Sequence, residues 1–98
     1  MAKSIIQTNK TACYWCGRNA YADVFGLDEH HVYSGAKRKL SEKYGLKVYL
    51  CHSRCHLYGV HLNAEMSNAL KAKVQAIATE HYGWDTEKFI EIFGKNYI

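Results

Sequence analysis

The sequence predicts a single α+β domain, because two short β-rich segments in the first half precede two segments of helical periodicity in the second. With 98 residues the chain is too short to build a second hydrophobic core. Hydrophobic residues make up 48% of the chain and charged residues 22%, as in globular proteins rather than disordered ones. We therefore expect one domain over residues 1–98.

The first half is predicted to hold two strands with a helix between them. A short strand is predicted within segment 28–35, where Val32 and Tyr33 are β-branched and aromatic, and an alternating pattern predicts a second strand over 46–50. Apolar residues four apart predict a helix over 36–44, which Gly45 would end. Segment 51–56 follows the second strand directly and is predicted to begin another helix.

The second half, residues 64–94, is predicted to consist of helices that pack on the first half and contribute no chemistry. Asn63 can cap a helix over 64–82, and either Asp85 or Thr86 can cap a final helix. The predicted apolar stripe of the long helix is Met66, Leu70, Val74, Ile77 and Ala78. The predicted inward face of the final helix is Phe89, Ile90 and Phe93, and His81 is expected to have a structural role only.

The sequence predicts neither a secreted protein nor a membrane-spanning one. Residues 1–11 contain no apolar run of signal-peptide length, and no segment approaches the roughly 18 apolar residues of a membrane helix. We therefore expect a soluble protein of the cytoplasm. In that reducing compartment, four cysteines are more typical of a metal site than of disulfide bonds.

The positive charge is concentrated in one short segment. The formal net charge is +4, and segment 37–47, with five basic residues and one acid, carries all of it. The basic residues are Lys37, Arg38, Lys39, Lys43 and Lys47. A local basic stripe is typical of a nucleic-acid contact, although a solvated helix face would give the same pattern.

The cysteines occur as two pairs with metal-ligand spacing. Cys13 and Cys16 are separated by two residues, which lets both thiolates of one turn reach the same tetrahedral ion. Cys51 and Cys55 are four apart and would share a helix face. The four residues predict a structural zinc site, with a neighbouring histidine as an alternative to one thiol. A redox dithiol is the other interpretation, but it would need a βαβ context that the pattern lacks.

Five of the six histidines lie between or beside the cysteine pairs. They are His30, His31, His52, His56 and His61. Four thiolates already complete a zinc site, so these imidazoles suggest a second, open metal site with a general base. Cys55 and His56 would point about 100° apart on a helix and could serve different sites. Any one of these histidines taken alone could instead be a surface or hydrogen-bonded residue.

Several motifs together resemble one enzyme family. The motifs are Cys13-x-x-Cys16-Gly17, Glu29-His30-His31-Val32, Tyr49-Leu50-Cys51 and Cys55-His56. In this order they resemble the HNH endonucleases, also called ββα-metal or His-Me finger nucleases. The segment from His30 to Leu46 and the later pieces Gly59-Val60-His61 and 93–97 are similar to small phage and bacterial members of the RecA-dependent recombination nuclease family. The similarity spans about residues 12–97.

The resemblance implies a small zinc-stapled ββα-metal core over 12–61, followed by two C-terminal helices. It implies a metal-dependent DNA endonuclease that leaves 5′-phosphate and 3′-hydroxyl ends, in a prokaryotic or phage-infected cell. His31 would be the general base, and His30, with His56 or His61, would bind Mg²⁺ or another divalent ion. The residues expected to grip DNA are Lys37, Arg38, Lys39 and Lys43.

The resemblance also raises questions of partner and of activity. A recombinase filament and a second copy of the chain are expected candidates for partners besides DNA. Either Leu46 or Lys47 is found near the place of the family's Asn. This departure keeps open the alternative of a catalytically inactive zinc-stapled module that binds DNA or protein.

Overall fold

The computed structural model describes residues 3–8, 10–19 and 25–98. These residues form a small α+β structure with a two-stranded sheet and several helices, as the sequence predicts. The strands are β1 (Leu27–His31) and β2 (Lys47–Cys51). The helices in chain order are a 3₁₀ turn (Gly35–Lys37), α1 (Arg38–Tyr44), a π-helix (His52–Val60), α2 (Ala64–Tyr82) and α3 (Thr86–Phe93). The turn predicted around Cys13 and Cys16 lies within the described residues, whereas residues 20–24 lie outside them.

The two strands pair antiparallel, and β1 covers the first part of the predicted segment 28–35 but not residues 32–33. Its last residue, His31, pairs with Lys47, so residues 32–33 lie beyond the strand. The physical reason is the Ser41 hydroxyl, which accepts from the Tyr33 N–H at 3.0 Å and donates to the Tyr33 carbonyl at 2.7 Å. The last bond between the two segments is donated by the Val32 N–H to the Leu46 carbonyl at 3.0 Å. Because the backbone groups of Tyr33 bond to the Ser41 side chain, the pairing ends there.

The helix after β1 agrees with the prediction over 36–44. Gly45 ends α1 with φ +71°, a left-handed conformation that favours glycine. A Cβ at this position would also collide with the carbonyl oxygen of Lys3. The chain therefore turns sharply at Gly45 and enters β2 one residue later than predicted.

A π-helix replaces the ordinary helix predicted from residue 51. Cys51 is the last residue of β2, and the helix that follows covers His52–Val60. Its wide turn is seen where the His61 N–H donates to the carbonyl of His56, five residues earlier, at 3.2 Å. π-Helical turns are rare and occur often at functional sites.

The two C-terminal helices begin at the predicted caps. The Asn63 side chain accepts from the Met66 N–H at 3.0 Å, and Asp85 accepts from the Lys88 N–H at 2.7 Å. Each bond satisfies one of the free amides at the start of its helix. None of the helices in the described part of the chain combines the length and hydropathy needed to cross a membrane.

The core lies between the sheet and the C-terminal helices. Leu70, Val74 and Ala78 are buried, whereas Met66 and Ile77 are half-buried. Phe89 and Phe93 are buried against the Tyr33 ring, with centroid distances of 5.6 and 4.8 Å. The prediction for Ile90 is wrong, since its side chain is 38% exposed. Residues 89 and 93 are four apart and share a helix face, while residue 90 is rotated about 100° towards solvent.

Candidate metal centres and the histidine cleft

Four thiols from separate parts of the chain meet beside the sheet. The sulfurs of Cys13, Cys16, Cys51 and Cys55 all lie within 4.8 Å of one another, and none is in a disulfide. The sulfurs of Cys16 and Cys51 are 3.8 Å apart. Sulfurs placed about 2.3 Å from one ion at tetrahedral angles are about 3.8 Å apart. The spacing and the donor set fit a structural metal such as zinc.

The first thiol pair is presented by a tight turn. The Gly17 N–H donates to the Cys13 carbonyl at 2.9 Å, and the Cys16 N–H approaches the Cys13 sulfur at 3.5 Å. Gly17 has φ +78°, which closes the turn. The second pair joins the end of β2 to the π-helix, because Cys51 is in the strand and Cys55 is one turn further on.

The thiols differ in how readily they ionise. Burial acts to raise the pKa of Cys13, but backbone hydrogen bonds from Cys16, Cys51 and Trp15 outweigh it and lower the pKa to about 7. Burial and the neighbouring thiols raise the pKa of Cys55. Four crowded thiols of this kind lose all their protons only when a cation compensates their charge, which also favours a metal at this cluster.

Three imidazoles form a second cluster. His30 comes from β1, whereas His56 and His61 come from the π-helix and its C-terminal cap. Their candidate ligand atoms lie within 4.8 Å of one another, and the Nε2 atoms of His56 and His61 are 3.0 Å apart. On an α-helix, residues five apart point about 140° away from each other. The wider π-turn brings them together, with ring centroids 4.5 Å apart.

A carboxylate outside this cluster orients one of its rings. Oδ2 of Asp28 lies 2.8 Å from Nδ1 of His56 and 2.5 Å from Nδ1 of His52. Burial acts to raise the pKa of Asp28, but these bonds from His56 and His52 outweigh it and lower the pKa, so an ionised acceptor faces both rings. With its Nδ1 proton held by Asp28, His56 offers the Nε2 lone pair to a ligand.

Two of the three rings, His30 and His61, are disfavoured from taking up a proton. Burial, followed by the nearby His56 and His61, lowers the pKa of His30 to about 4. Burial and His56 also lower the pKa of His61. Neutral rings present lone pairs, so the set could hold a divalent ion. Imidazole ligands suit transition-metal ions such as Ni²⁺ or Zn²⁺ better than Mg²⁺, which prefers oxygen.

His31 lies next to His30 but contacts different groups. Its Nε2 is 3.6 Å from Oε1 of Glu42 and 3.8 Å from Oε1 of Glu29. The second oxygen of each carboxylate faces the buried Lys47 ammonium, at 2.7 Å for Glu42 and 3.6 Å for Glu29. The candidate ligand atoms of Glu29, His31 and Glu42 lie close enough together to hold a metal ion. The Lys47 ammonium already neutralises one of the two carboxylate charges, which weakens this set as a site for a metal cation.

The two histidine environments share one cleft. His30, His31, Arg38, His56 and His61 border a cleft of about 180 Å³. A neighbouring cleft of about 350 Å³ is bordered by His31, Arg38, Lys39 and Glu42. His31 and Arg38 therefore lie where the clefts adjoin, between the three-histidine cluster and the basic side chain of Lys39.

Two of the four residues predicted to bind the DNA backbone border these clefts, and the other two do not. Arg38 and Lys39 border them from the first turn of α1. Lys37 lies against Gly94 at the end of α3, and the Lys43 ammonium is 5.2 Å from the centroid of the Tyr44 ring. The basic segment therefore faces several directions, and its N-terminal end is the part beside the histidines.

The structure also places the residues that the sequence left undecided. His52 bonds to Asp28 and stacks near Phe25, so it lies outside the three-histidine cluster. His81 is exposed in the last turn of α2, far along the chain from both clusters. Asp28, Glu29 and Glu42 were not predicted as partners of the histidines, although Glu29 belongs to the quoted motif. Alternation along β1 was the available signal, because it puts residues 28 and 30 on one face and 29 and 31 on the other.

Comparisons of the chain with family models, curated proteins and solved structures find no match. The functional conclusion therefore depends on the residues and their geometry.

Proposed function

We propose that the protein is a metal-dependent endonuclease of the HNH type that hydrolyses phosphodiester bonds in DNA. The observation that carries the proposal is the shared cleft, in which a three-imidazole cluster lies beside a separate histidine and an arginine. The order of strand, strand and helix, with His30 on β1 and His56 on the helix after β2, supports a ββα-metal arrangement.

His31 is proposed as the general base. Its Nε2 faces two carboxylate oxygens, so the ring proton is placed at Nε2 and the Nδ1 lone pair is left to accept a proton from water. As the ring becomes positively charged, the carboxylates of Glu29 and Glu42 compensate that charge. Lys47 holds both carboxylates in place, a positioning role that the family resemblance gives to an Asn.

His30, His56 and His61 are proposed as the ligands of one divalent ion. The ion supplies Lewis-acid stabilisation of negative charge on the phosphate and on the leaving 3′ oxygen. The water oxygen forms a bond to phosphorus while the bond from phosphorus to the 3′ oxygen breaks. His31 takes one water proton and later returns it to solvent, the 3′ oxygen takes a proton from solvent water, and the ends are a 5′-phosphate and a 3′-hydroxyl. Arg38 and Lys39 hold the flanking phosphates.

Plasmid nicking tests the proposal. Supercoiled DNA is incubated with zinc-loaded protein and Mg²⁺, Mn²⁺ or Ni²⁺, and wild type is compared with His31→Ala. Loss of the general base is expected to slow nicking by about 10²- to 10⁴-fold. The matched control is His81→Ala, which removes an exposed histidine remote from the clefts and should cut normally. Equal inertness of wild type and His31→Ala with all three ions contradicts the proposal.

A binding module without catalysis is the second candidate. Arg38 and Lys39 are exposed on the first turn of α1, and the four-cysteine cluster can stabilise the fold without the histidines. This candidate predicts one tightly held zinc ion per chain and DNA binding that weakens with salt. It also predicts that His31→Ala loses nothing, which separates it from the enzyme.

A further inference from the structure

A third cleft lies on another face of the π-helix. Its volume is about 410 Å³, and it is bordered by side chains from the Cys13–Cys16 turn, from the π-helix and from the start of α2. Trp15 and Tyr58, both lining it, are 43% and 72% exposed. Two large aromatic side chains bordering the same cleft offer flat surfaces on which a planar ligand can stack.

The polar groups of this cleft suit a planar, neutral ligand. The Arg54 guanidinium, which borders the cleft, forms no ion pair or hydrogen bond with the described residues and offers a flat cation for stacking. Asn63 uses its side-chain oxygen to cap α2, which leaves its NH₂ group as a donor. Its walls thus combine stacking surfaces with hydrogen-bond donors.

The thiol cluster determines which part of a nucleotide fits. Cys16 and Cys55 also border the cleft. Four thiolates around one zinc ion would carry more negative charge than the ion neutralises, so the cysteine side of the cleft disfavours a phosphate but tolerates an uncharged ring. Nucleobases are recognised in proteins by stacking on aromatic and guanidinium planes and by donors to their edges.

We propose that this cleft binds one unstacked nucleobase of a single-stranded or locally unpaired nucleic acid. The proposal rests on the proposed function, since it assigns an unpaired strand as the substrate class of the same nuclease. Because the π-helix borders both sites, His56 and His61 face the phosphate cleft while Tyr58 and Arg54 face the base. A base inserted beside Trp15 would hold the strand as it crosses this helix.

Tryptophan fluorescence reports directly on the stacking. The chain has two tryptophans, so Trp84→Phe leaves Trp15 as the sole reporter and keeps an aromatic ring against Tyr82. Full-length, zinc-loaded protein is titrated with oligothymidylate and with an abasic oligonucleotide of the same length, without added divalent ion. We expect quenching by the first and little by the second, because only the first carries bases.

Substitution of Tyr58 tests the contribution of the second aromatic side chain that borders the cleft. Tyr58→Ala removes a side chain that is mostly exposed, and we expect it to weaken oligothymidylate binding by about 5- to 100-fold. The matched control is Leu62→Ala, equally exposed at 71% but outside the cleft, which should bind as wild type does. Equal quenching by the abasic strand, or unchanged affinity in Tyr58→Ala, overturns the proposal.

The binding experiment and the nicking experiment can each refute one proposal without refuting the other. A protein that nicks plasmid but shows no Trp15 quenching with any oligonucleotide retains the proposed function and loses the base cleft, which would then be a surface for a protein partner. Base-dependent quenching in a protein that cuts nothing retains the base cleft and removes the catalytic proposal.

Discussion

Asp28→Asn tests whether the carboxylate behind the histidine cluster prepares it for a metal. Oδ2 of Asp28 accepts from His56 Nδ1 at 2.8 Å, which leaves His56 Nε2 to the ion. A hydrogen bond to a charged group contributes about 1.5–3 kcal/mol and one between neutral groups about 0.5–1.5 kcal/mol. The substitution should therefore cost about 1–2 kcal/mol, which is about 5- to 30-fold in metal affinity.

Isothermal titration of zinc-loaded protein with Ni²⁺ measures this loss, because imidazole favours Ni²⁺ and zinc already occupies the thiols. Outer-shell partners of metal ligands typically contribute 10- to 100-fold, so the expected loss is at the lower end of that range. His52→Ala is the matched control, since it removes the other donor to the same oxygen but leaves His56 bonded. Asp28→Asn that binds Ni²⁺ as tightly as wild type would refute this reasoning.

Three further predictions concern the structural zinc site, the buried lysine and the hydrophobic core. Removal of zinc with a strong chelator should unfold the chain, because structural zinc in small domains contributes about 10 kcal/mol or more to the free energy of folding. The unfolding would be seen as a loss of the helical circular dichroism signal, and an unchanged spectrum would contradict a structural metal. Lys47→Met should slow nicking at least about 10-fold, because Glu42 and Glu29 lose the buried ammonium that positions them. The affinity for Ni²⁺ should be unchanged, and a normal nicking rate would show that Lys47 has no part in the mechanism. Tyr33→Phe should lower the free energy of unfolding by about 0.5–1.5 kcal/mol, because the Lys71 carbonyl, which lies within α2, loses its 2.6 Å bond from the Tyr33 hydroxyl. Urea denaturation with an unchanged midpoint would contradict this.

Helix ends and thiol pairs could be predicted from the sequence because they depend on near neighbours. Asn63 and Asp85 cap their helices through amides three residues ahead, and Gly45 ends α1 through its own left-handed φ. The separation of Cys13 and Cys16 likewise fits one turn. Each of these features is determined within a few residues, so a pattern in the sequence is enough to identify it.

The arrangement of the histidines could not be predicted in this way. Ordinary helical geometry separates residues 56 and 61, and only the π-turn, marked by the bond from the His61 N–H to the His56 carbonyl, brings their rings together. The Glu42 carboxylate reaches His31 because α1 packs back on the sheet, and residues 32–33 leave the strand because of Ser41. Both depend on side-chain contacts between different elements, Tyr33 with Ser41 and His31 with Glu42, which no pattern within one helix or strand encodes.

The central claim is that an ion bound by His30, His56 and His61 and a base at His31 cut DNA together. The most direct measurement follows Ni²⁺ binding and plasmid nicking in the same zinc-loaded samples of wild type and His31→Ala. We expect both proteins to bind Ni²⁺ with similar affinity, and only wild type to nick DNA at a rate that saturates as the ion binds. Wild type that binds the ion but leaves the plasmid intact, or His31→Ala that nicks at the wild-type rate, would contradict the claim.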